Sequence, residues 1–592
     1  MQNNHVGSLI LDVFKSNSEK EFLKSYNRDH TYTGQQAAEA TYKIARCLMA
    51  EGCQVGDRVA IYSQNYPEWT LIDLACIHAK TVSVPIFATS NAGQTEYILK
   101  DSGSKIVFVG DQPQYDEIMK TDLKDDIRII VLNDEVKLQT PNSILYKDWL
   151  EKYENTELNS ELEKRTQSIQ EQDLLTLIYT SGTTGKPKGV KLHHKQFNAL
   201  IKNHNIVYDF KPEYTSITFL PLSHVFERGW CYIILANGMT NIYLNDPKVI
   251  AKAITEVKPD TFCAVPRLYE KIYATIMDNV HQQSVVKQKM FHWAVDIGKK
   301  HLLYIQDHKK VPTALALKYK LAEKLVFNKI RNQLGGNLKI CPCGGAYMPD
   351  DLVTFFRGIG FPLLVGYGLT ESTATVTSFT EENYKVGTVG KPLVNVQVKI
   401  GENNEILVKG DTITSGYFNL DEESEEIFTS DGWLKTGDAG HLDEDGYLVI
   451  TDRIKQLIKT ANGKYIAPQL VEGHLTQSPF ISQAMVVGEG KPYASALITL
   501  DKETVVRWAK NRKITYNSYE ELTKNDLLRQ SIAKSVKKKQ AKLSDYEKAK
   551  KFKILNREFS MEDDELTPTL KFKRKTILEK YADDIASMYR KA

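Results

Sequence analysis

Residues 176–194, TLIYTSGTTGKPKGVKLHH, join a β-prone apolar run to a stretch rich in Ser, Thr, Gly and Lys. Hydroxyl groups, backbone N–H groups and lysine ammonium groups are the donors that hold a phosphate. The segment therefore predicts a loop that closes over a polyphosphate, although a polar surface turn is the alternative that such a cluster allows on its own. The candidate ligands are Thr180, Ser181, Gly182, Thr183, Thr184, Gly185 and Lys186.

This segment does not match the two most familiar phosphate-binding motifs. A Walker A loop needs G-x-x-x-x-G-K followed by Ser or Thr, because that hydroxyl holds magnesium. Here Gly182 and Gly185 are three residues apart and Lys186 precedes Pro187, which offers neither an N–H nor a hydroxyl. No G-x-G-x-x-G follows a strand, so a dinucleotide-binding site is not indicated either.

The elements that must position this loop alternate between short strands and helices. The runs VAIYS, VSVPIF, KIVFVG and RIIVLN predict buried strands, and NAGQTEYILKDS predicts a helix between two of them. That alternation predicts an α/β fold. A chain of 592 residues is long enough for one large multi-lobed unit and a smaller one.

Residues 281–334 have a different pattern and predict a helical insertion. Leu317, Leu321 and Leu325 recur at four-residue spacing among many Lys and Gln residues. We expect this apolar stripe to pack on the body of the protein, with a stripe that faces a membrane as the alternative.

A domain boundary is predicted close to residue 453. Gly- and Asp-rich turns precede this point, and a Lys-rich stretch with its own strand and helix patterns follows it. The sequence therefore predicts a large N-terminal domain, residues 1–452, and a small α+β C-terminal domain, residues 453–592.

Composition narrows the class of protein. The net charge of +3 gives no reason to expect a nucleic-acid partner. No apolar run approaches the about 20 residues of a membrane span, no signal peptide is recognised, and the seven cysteines fit a reducing compartment better than a disulfide framework. We expect a cytoplasmic protein, with peripheral contact at the inner face of the membrane left open. The oligomeric state is not predicted.

Several motifs together carry a resemblance to a known family. YTSGTTGKPKGV is similar to the phosphate loop of the adenylate-forming (AMP-binding) superfamily, and further blocks follow in family order: LPLSHVFERG, GYGLTES, GTVGKP, DGWLKTGD, DRIKQLIKTANGKYIAP and LTPTLKFKRK. The resemblance spans nearly the whole chain. DGWLKTGDAGHLDEDGYLVITDRIKQLIK resembles the signature of fatty acyl-CoA synthetases, and LPLSHVFER, VPRLYEK and LTPTLK resemble their long-chain branch.

The resemblance implies a multi-lobed N-terminal domain, a mobile C-terminal domain and a reaction in two halves. A fatty acid would attack the α-phosphate of ATP with Mg²⁺ present, and coenzyme A would then displace AMP. The phosphate loop would hold the β- and γ-phosphates that leave as pyrophosphate. A medium-chain or aryl acid, or another acyl acceptor, remains the alternative. A nucleotide-binding scaffold without catalysis is disfavoured, because Lys571 and Glu371 are both present.

Four residues would take part in catalysis by this resemblance. Lys571 matches the C-terminal catalytic lysine, whose ammonium would bridge the carboxylate and the α-phosphate. Glu371 would hold magnesium, and Thr370 would contact the α-phosphate. His224 would lie near the acyl carboxylate, with a buried structural histidine as the alternative.

A second lysine, Lys573, could also occupy the position of the catalytic lysine in this motif. Leu570 stands where many relatives have glycine, which leaves Lys573 as the alternative, whereas Arg574 supports Lys571.

The remaining carried-over positions would bind the nucleotide, the acyl chain and coenzyme A. Tyr367 would lie flat against adenine, with Asp438 on the ribose hydroxyls and Arg453 on the ribose or phosphates. Trp230 would be an aromatic gate of the acyl tunnel and Lys455 the hinge. Backbone close to adenine would come from Gly344, Gly345, Ala346, Gly366 and Gly368, and the coenzyme A path from Lys459, Gly463 and Lys464.

Overall fold

The computed structural model describes residues 5–28, 30–180, 186–567 and 570–590. Its strands are β1 (Glu21–Ser25), β2 (Thr31–Thr33), β3 (Arg58–Tyr62), β4 (Val82–Ile86), β5 (Ile106–Val109), β6 (Arg128–Val131), β7 (Ser143–Leu145), β8 (Leu174–Thr180), β9 (Lys188–His193), β10 (Thr215–Thr218), β11 (Thr240–Tyr243), β12 (Cys341–Cys343), β13 (Leu363–Tyr367), β14 (Thr377–Ser378), β15 (Lys391–Pro392), β16 (Val396–Ile400), β17 (Glu405–Gly410), β18 (Leu434–Leu442), β19 (Leu448–Arg453), β20 (Ile458–Lys459), β21 (Tyr465–Ile466), β22 (Ile481–Val487), β23 (Ser495–Leu500) and β24 (Lys551–Ile554).

The α-helices lie between and beside these strands. They are α1 (Val6–Ser16), α2 (Gly34–Ala50), α3 (Pro67–His78), α4 (Ala92–Ser102), α5 (Gln112–Met119), α6 (Tyr146–Tyr153), α7 (Asn159–Gln167), α8 (His194–Val207), α9 (Val225–Ala236), α10 (Ile250–Val257), α11 (Pro266–His281), α12 (Val285–Gln306), α13 (Thr313–Ala322), α14 (Asn328–Gln333), α15 (Asp350–Gly358), α16 (Asp421–Glu426), α17 (Pro468–Thr476), α18 (Lys502–Asn511), α19 (Tyr519–Thr523), α20 (Asp526–Lys539), α21 (Arg574–Lys580) and α22 (Ala582–Tyr589).

A seven-stranded sheet in the order β7-β6-β5-β3-β4-β8-β9 is formed by strands within residues 58–193. Its strands run parallel except β9, which pairs antiparallel with β8. The four strands predicted from apolar runs are confirmed as β3 to β6, and α4 is confirmed as the predicted helix. Continuous apolar runs are typical here because helices cover both faces of a parallel sheet.

Three four-stranded sheets complete the N-terminal part of the chain. Their orders are β10-β11-β1-β2, β12-β13-β14-β15 and β16-β17-β18-β19. In the second sheet, β12 and β13 run parallel, so their carboxyl ends lie at one edge. Ligands of α/β proteins bind at such edges, and the predicted adenine-contacting residues follow these two strands.

A buried ion pair ties α9 to α3 and to the large sheet. The guanidinium of Arg228 donates to both carboxylate oxygens of Asp73, at 2.8 and 2.5 Å. It also donates to the hydroxyls of Thr176 and Ser83. Both ends of the pair are fully buried, so these hydrogen bonds replace the water that each charge gives up.

The C-terminal part folds around a sheet in the order β22-β23-β24. Two apolar clusters on this sheet draw all their described members from residues 458–589. The predicted division at residue 453 is compatible with this separate core and stays a prediction.

The segment 281–334 is helical, but the prediction for its leucine stripe was wrong. Leu317 and Leu321 are 63% and 50% exposed, and only Leu325 packs against the core. The reason is that α13 contacts α12 through another side, where Tyr319 stacks on His301 at 3.9 Å. A four-residue spacing indicates a common side of the helix and does not indicate which side is covered.

Candidate active site

At the edge formed by β12 and β13, the loops that follow the two strands bring backbone segments very close together. Gly344 to Ala346 follow β12, where Gly345 has a positive φ of 82°. Gly368 follows β13, and a Cβ there would lie 1.7 Å from the carbonyl oxygen of Ala374. Only glycine fits position 368, because the following loop folds back onto it. That loop includes Thr373, which also has a positive φ.

Three predicted nucleotide-binding side chains meet beside this edge. The Tyr367 hydroxyl donates to Oδ2 of Asp438 at 2.6 Å, and Nε of Arg453 lies 3.1 Å from Oδ1. β18 and β19 create this arrangement, because Asp438 and Arg453 are direct cross-strand partners. Burial and the neighbouring Asp438 carboxylate raise the pKa of Tyr367 well above its usual value, so the phenol stays a hydrogen-bond donor.

Glu371 and Thr370 lie in the turn that follows Leu369. The Tyr417 hydroxyl donates to Oε1 of Glu371 at 2.9 Å, and the Thr414 N–H donates to the Glu371 carbonyl at 2.8 Å. The ammonium of Lys188 lies 5.0 Å from the centre of the Tyr417 ring. Tyr417 therefore orients Glu371, a contact that sequence reasoning missed because no motif marks GYF at 416–418.

The phosphate loop connects two antiparallel strands. Thr180 ends β8 and pairs with Lys188 at the start of β9. Lys186 is exposed, with its ammonium 5.4 Å from the centre of the Tyr97 ring. Five of the predicted ligands lie outside the described residues: Ser181, Gly182, Thr183, Thr184 and Gly185.

Lys571 comes from the C-terminal part of the chain and lies close to Asp438, Arg453 and Glu371. We call the space between these residues and the edge of β12 and β13 the cleft. Lys571 as a residue is exposed to solvent, although many protein atoms lie around its ammonium. This desolvation, together with Arg453, lowers the Lys571 pKa, and the carboxylates of Asp438 and Glu371 partly offset the effect. The Lys571 ammonium is thus near the groups that the sequence predicted for the ribose and for magnesium.

The backbone around Lys571 favours this lysine over Lys573. The Lys571 N–H donates to Oγ1 of Thr567 at 3.0 Å, and its carbonyl accepts from the Thr567 N–H at 2.8 Å. Leu570 has φ +59°, a left-handed conformation that glycine adopts freely. Lys573 instead pairs with Asp564.

The pH dependence of adenylate formation is expected to follow Lys571. In the role that the sequence predicts for Lys571 the charged ammonium is the active form, so the rate should fall as pH rises through the lowered pKa of Lys571. Measuring the pH–rate profile of the first half-reaction tests this. In Lys571→Arg the alkaline fall should move to higher pH, because guanidinium keeps its charge; an unmoved limb would contradict the assignment.

His224 begins α9 and lies close to Lys571. Its Nδ1 accepts from the N–H of Phe226 at 3.2 Å. Burial and the Lys571 ammonium lower the pKa of His224 to about 4. The ring is therefore neutral at physiological pH, and it caps its helix while it faces the cleft.

An apolar cavity of about 50 Å³ extends from the cleft along α9. Phe226, Gly229, Trp230 and Ile233 line it at helical spacing. The cavity also reaches Gly344, Gly345, Gly366, Tyr367 and Gly368. Trp230 is buried, and the cavity joins it to the predicted nucleotide site.

The predicted hinge and coenzyme A residues lie outside this cavity. Position 455 lies in the 3₁₀ turn Ile454–Gln456, directly after β19. Lys459, Gly463 and Lys464 are exposed and belong to the β20–β21 hairpin, where Gly463 has φ +72°. None of the three is among the residues that line the cavity.

Ion pairs and hydrogen bonds hold the C-terminal part in this position. Arg507 pairs with Asp278 at 2.6 Å and Lys542 with Asp351 at 2.7 Å. These contacts accompany the insertion of Lys571 into the cleft.

Comparison with known proteins identifies the family. The family model of the AMP-binding enzymes matches residues 12–418, and the model of the AMP-binding enzyme C-terminal domain matches residues 455–592. The chain belongs to the AMP-binding enzyme family.

Relatives of this AMP-binding enzyme align over most of their length. It is 35% identical to the long-chain-fatty-acid–CoA ligase FadD15 of Mycobacterium bovis, over 95% of this chain and 93% of that protein. It is 30% identical to the peroxisomal long chain acyl-CoA synthetase 7 of Arabidopsis thaliana, over 94% and 81%. The structure of O-succinylbenzoate coenzyme A synthetase from Bacillus subtilis with ATP and magnesium superimposes with a TM-score of 0.65 at 21% identity, over 96% and 98%.

The AMP-binding fold thus brings five of the predicted side chains close together. Tyr367, Asp438, Arg453, Glu371 and Lys571 lie in the cleft. The β20–β21 hairpin stays apart in this conformation, and the roles of its residues remain predictions.

Proposed function

We propose that this protein is a long-chain fatty acid–CoA ligase that consumes ATP. A fatty acid carboxylate oxygen attacks the α-phosphorus of ATP, and the bond to the β-phosphate oxygen breaks to release pyrophosphate. The thiol sulfur of coenzyme A then attacks the acyl carbon and AMP leaves. The observation that supports this proposal is the position of Lys571, whose ammonium shares one cleft with Asp438, Arg453 and Glu371.

The charges of the cleft suit the first half-reaction. Two anions must meet, so positive charge is needed where negative charge develops. Lys571 supplies it next to the nucleotide, while Asp438 accepts from the ribose hydroxyls. Tyr367 lies beside Asp438 and offers a flat face to adenine.

Magnesium fits the oxygen donors of this cleft. Glu371 would hold the ion through its carboxylate and Thr370 would add a hydroxyl oxygen; the bound ion would neutralise phosphate charge. Among the described residues, no three His, Cys, Asp or Glu side chains form a metal site. A magnesium ion that binds substrate phosphates needs only one or two carboxylates.

The apolar cavity supports an acyl substrate. Its stripe on α9 joins the cleft near His224, and its volume of about 50 Å³ holds only the first few methylene groups of an acyl chain. That part of a bound acid would lie against Trp230 while the carboxylate stays near Lys571, and a long chain would require this side of α9 to open further. The long-chain names of both aligned relatives support the same substrate class.

The second half-reaction requires another arrangement of the C-terminal part. In the present arrangement Lys571 lies beside the predicted nucleotide site, whereas the β20–β21 hairpin, which carries the predicted coenzyme A residues, lies outside the cavity. We infer that the C-terminal part rotates about residues 453–455, which withdraws Lys571 from the cleft and brings the β20–β21 hairpin towards it.

Substituting the hinge residue should separate the two half-reactions. Proline at position 455 fixes φ near the helical value of the present turn. Lys455→Pro should therefore keep adenylate formation and lower thioester formation by at least about tenfold. Release of pyrophosphate and formation of thioester are measured separately. Lys455→Ala is the control, since it leaves φ free; equal effects of both substitutions would contradict the hinge role.

The proposed function is tested by substrate range. AMP release and thioester product are measured for straight-chain acids from acetate to eicosanoate and for benzoate, with and without coenzyme A. We expect the highest kcat/KM for long-chain acids and thioester only with coenzyme A. A maximum at acetate, a medium-chain acid or benzoate would reject the long-chain assignment.

Coenzyme A as the acyl acceptor and a cytoplasmic location of the protein are also predictions. Among the described residues, no helix is both long and apolar enough to cross a membrane.

A further inference from the structure

The ring of Tyr347 packs against the backbone of helix α17 in the C-terminal part. Tyr347 directly follows residues 344–346, the loop that was predicted to lie close to adenine. On α17, a Cβ at Gly473 would lie 2.8 Å from Cδ1 and 3.1 Å from Cε1 of the Tyr347 ring. Because carbon atoms in contact lie about 3.5–4.0 Å apart, a residue larger than glycine does not fit at position 473 unless the ring or the helix moves.

Glycine at this position weakens the helix, and the contact with Tyr347 explains its presence. Gly473 lies inside α17, with three residues of the helix after it. Glycine in a helix interior is less favourable than alanine, because it loses more backbone freedom on folding. The missing Cβ allows the Tyr347 ring to reach the backbone of α17. Position 473 therefore favours the contact between the two parts of the chain over the stability of the helix.

The preceding residue of α17 holds the segment that carries Lys571. Oε1 of Glu472 accepts from the Arg574 guanidinium at 2.5 Å and from the N–H of Val486 at 2.7 Å. Arg574 also donates to the carbonyl of Val486 at 3.0 Å. Glu472 is buried, and charge-assisted hydrogen bonds of this kind fix geometry. Since Arg574 follows Lys571 by three residues, the pair fixes the Lys571 segment relative to α17.

Two successive contacts thus connect the loop 344–346 with Lys571. Tyr347 meets α17 at Gly473, and α17 holds Arg574 through Glu472. The ion pairs between the two parts of the chain are exposed and contribute little. The packing of a ring on a helix backbone depends instead on shape, so it determines how closely α17 approaches the nucleotide site.

We propose that Tyr347, Gly473 and Glu472 are positioning residues for Lys571. While α17 rests on the Tyr347 ring, the pair of Glu472 and Arg574 holds the Lys571 segment at the cleft. The contact belongs to the arrangement for the first half-reaction, and rotation of the C-terminal part breaks it. This inference rests on the proposed function, because it assigns the contact to one of the two half-reactions.

A bulky substitution at Gly473 tests the contact. Gly473→Val places a branched side chain where the Tyr347 ring lies, so α17 no longer reaches its position. Adenylate formation from hexadecanoate, measured as pyrophosphate release in a single turnover, should fall by at least about tenfold. Thioester formation from supplied hexadecanoyl adenylate should stay close to wild type, because the rotated arrangement does not use this contact. An equal loss in both half-reactions would overturn the proposal.

Removal of the opposing ring should cancel the effect of valine. In Tyr347→Ala the ring is absent, so a side chain at position 473 meets no obstacle there. Tyr347→Ala/Gly473→Val should therefore form adenylate as fast as Tyr347→Ala alone, since the two positions are in contact and their effects do not add. Additive losses would exclude the steric contact as the cause.

Ala533→Val is the matched control for a valine on a helix of the C-terminal part. Ala533 is exposed on α20, so this substitution should change neither half-reaction. A loss as large as that of Gly473→Val would contradict the steric explanation. Valine favours a helix at least as well as glycine does, and thermal unfolding of each variant verifies the fold.

Glu472→Gln tests the connection from α17 to Lys571. Glutamine keeps an acceptor for the Val486 N–H but loses the charge that holds the Arg574 guanidinium. Adenylate formation should fall in kcat, with the KM values for ATP and hexadecanoate little changed, because the substrates still bind. A rise in KM alone would contradict the positioning role. Wild-type protein without adenylate formation would contradict the proposed function itself, whereas equal rates in wild type and Gly473→Val would contradict only the positioning role.

Discussion

Replacement of Lys571 by alanine is expected to lower the rate of adenylate formation by roughly 10²–10³-fold. The Lys571 ammonium lies near Asp438, Arg453 and Glu371. Its removal takes positive charge away from the site where carboxylate and phosphate must meet. Pyrophosphate release in single-turnover experiments measures this step. Thioester formation from supplied acyl adenylate should stay within about threefold of wild type, because the proposed role of Lys571 belongs to the first half-reaction alone.

Lys573→Ala is the matched control. Lys573 lies two residues away and pairs with Asp564 outside the cleft, so its removal should leave both half-reactions close to wild type. A larger loss in Lys573→Ala than in Lys571→Ala would shift the register of the motif by two residues. An equal loss of both half-reactions in Lys571→Ala would overturn the assignment of Lys571 to the first half-reaction.

Breaking the buried pair of Arg228 and Asp73 should have the largest effect on stability. Arg228→Ala leaves a carboxylate fully buried without its partner, which costs about 3–5 kcal/mol of unfolding free energy. Urea unfolding measures the change, and Trp69 reports on it because the guanidinium lies 5.6 Å from its ring centre. The double variant Asp73→Leu/Arg228→Met should recover much of the loss, since two apolar side chains leave no charge unpaired.

An exposed ion pair provides the contrast. Lys147 and Asp134 pair at 3.0 Å, but both side chains are more than half exposed. Lys147→Ala should not shift the unfolding midpoint measurably, because water replaces the lost partner. A shift as large as that of Arg228→Ala would mean that burial does not decide the effect of the pair.

Local patterns predicted the strands and the residues at their ends. β3 to β6 were predicted from runs of Val and Ile, and Asp438 and Arg453 fall where motifs mark them. Contacts between distant segments were not predictable in this way. Tyr417 meets Glu371 across 46 residues of chain, and no periodicity encodes that contact.

The sequence also did not indicate which side of a helix the rest of the protein covers. The spacing of Leu317 and Leu321 indicated a common side of α13, but whether that side is covered depends on how the helix docks. Tyr319 docks on His301 instead, so the leucines face solvent.

The weak attachment of the C-terminal part has a consequence for solution conditions. Arg507, Asp278, Lys542 and Asp351 make their ion pairs with side chains that are 37–70% exposed. Such pairs contribute little, and dissolved salt screens them. The balance between the arrangement that presents Lys571 and any other arrangement should therefore depend on ionic strength. Concentrated salt should shift this balance modestly away from the arrangement that presents Lys571, and the ratio of the two half-reaction rates would report the shift.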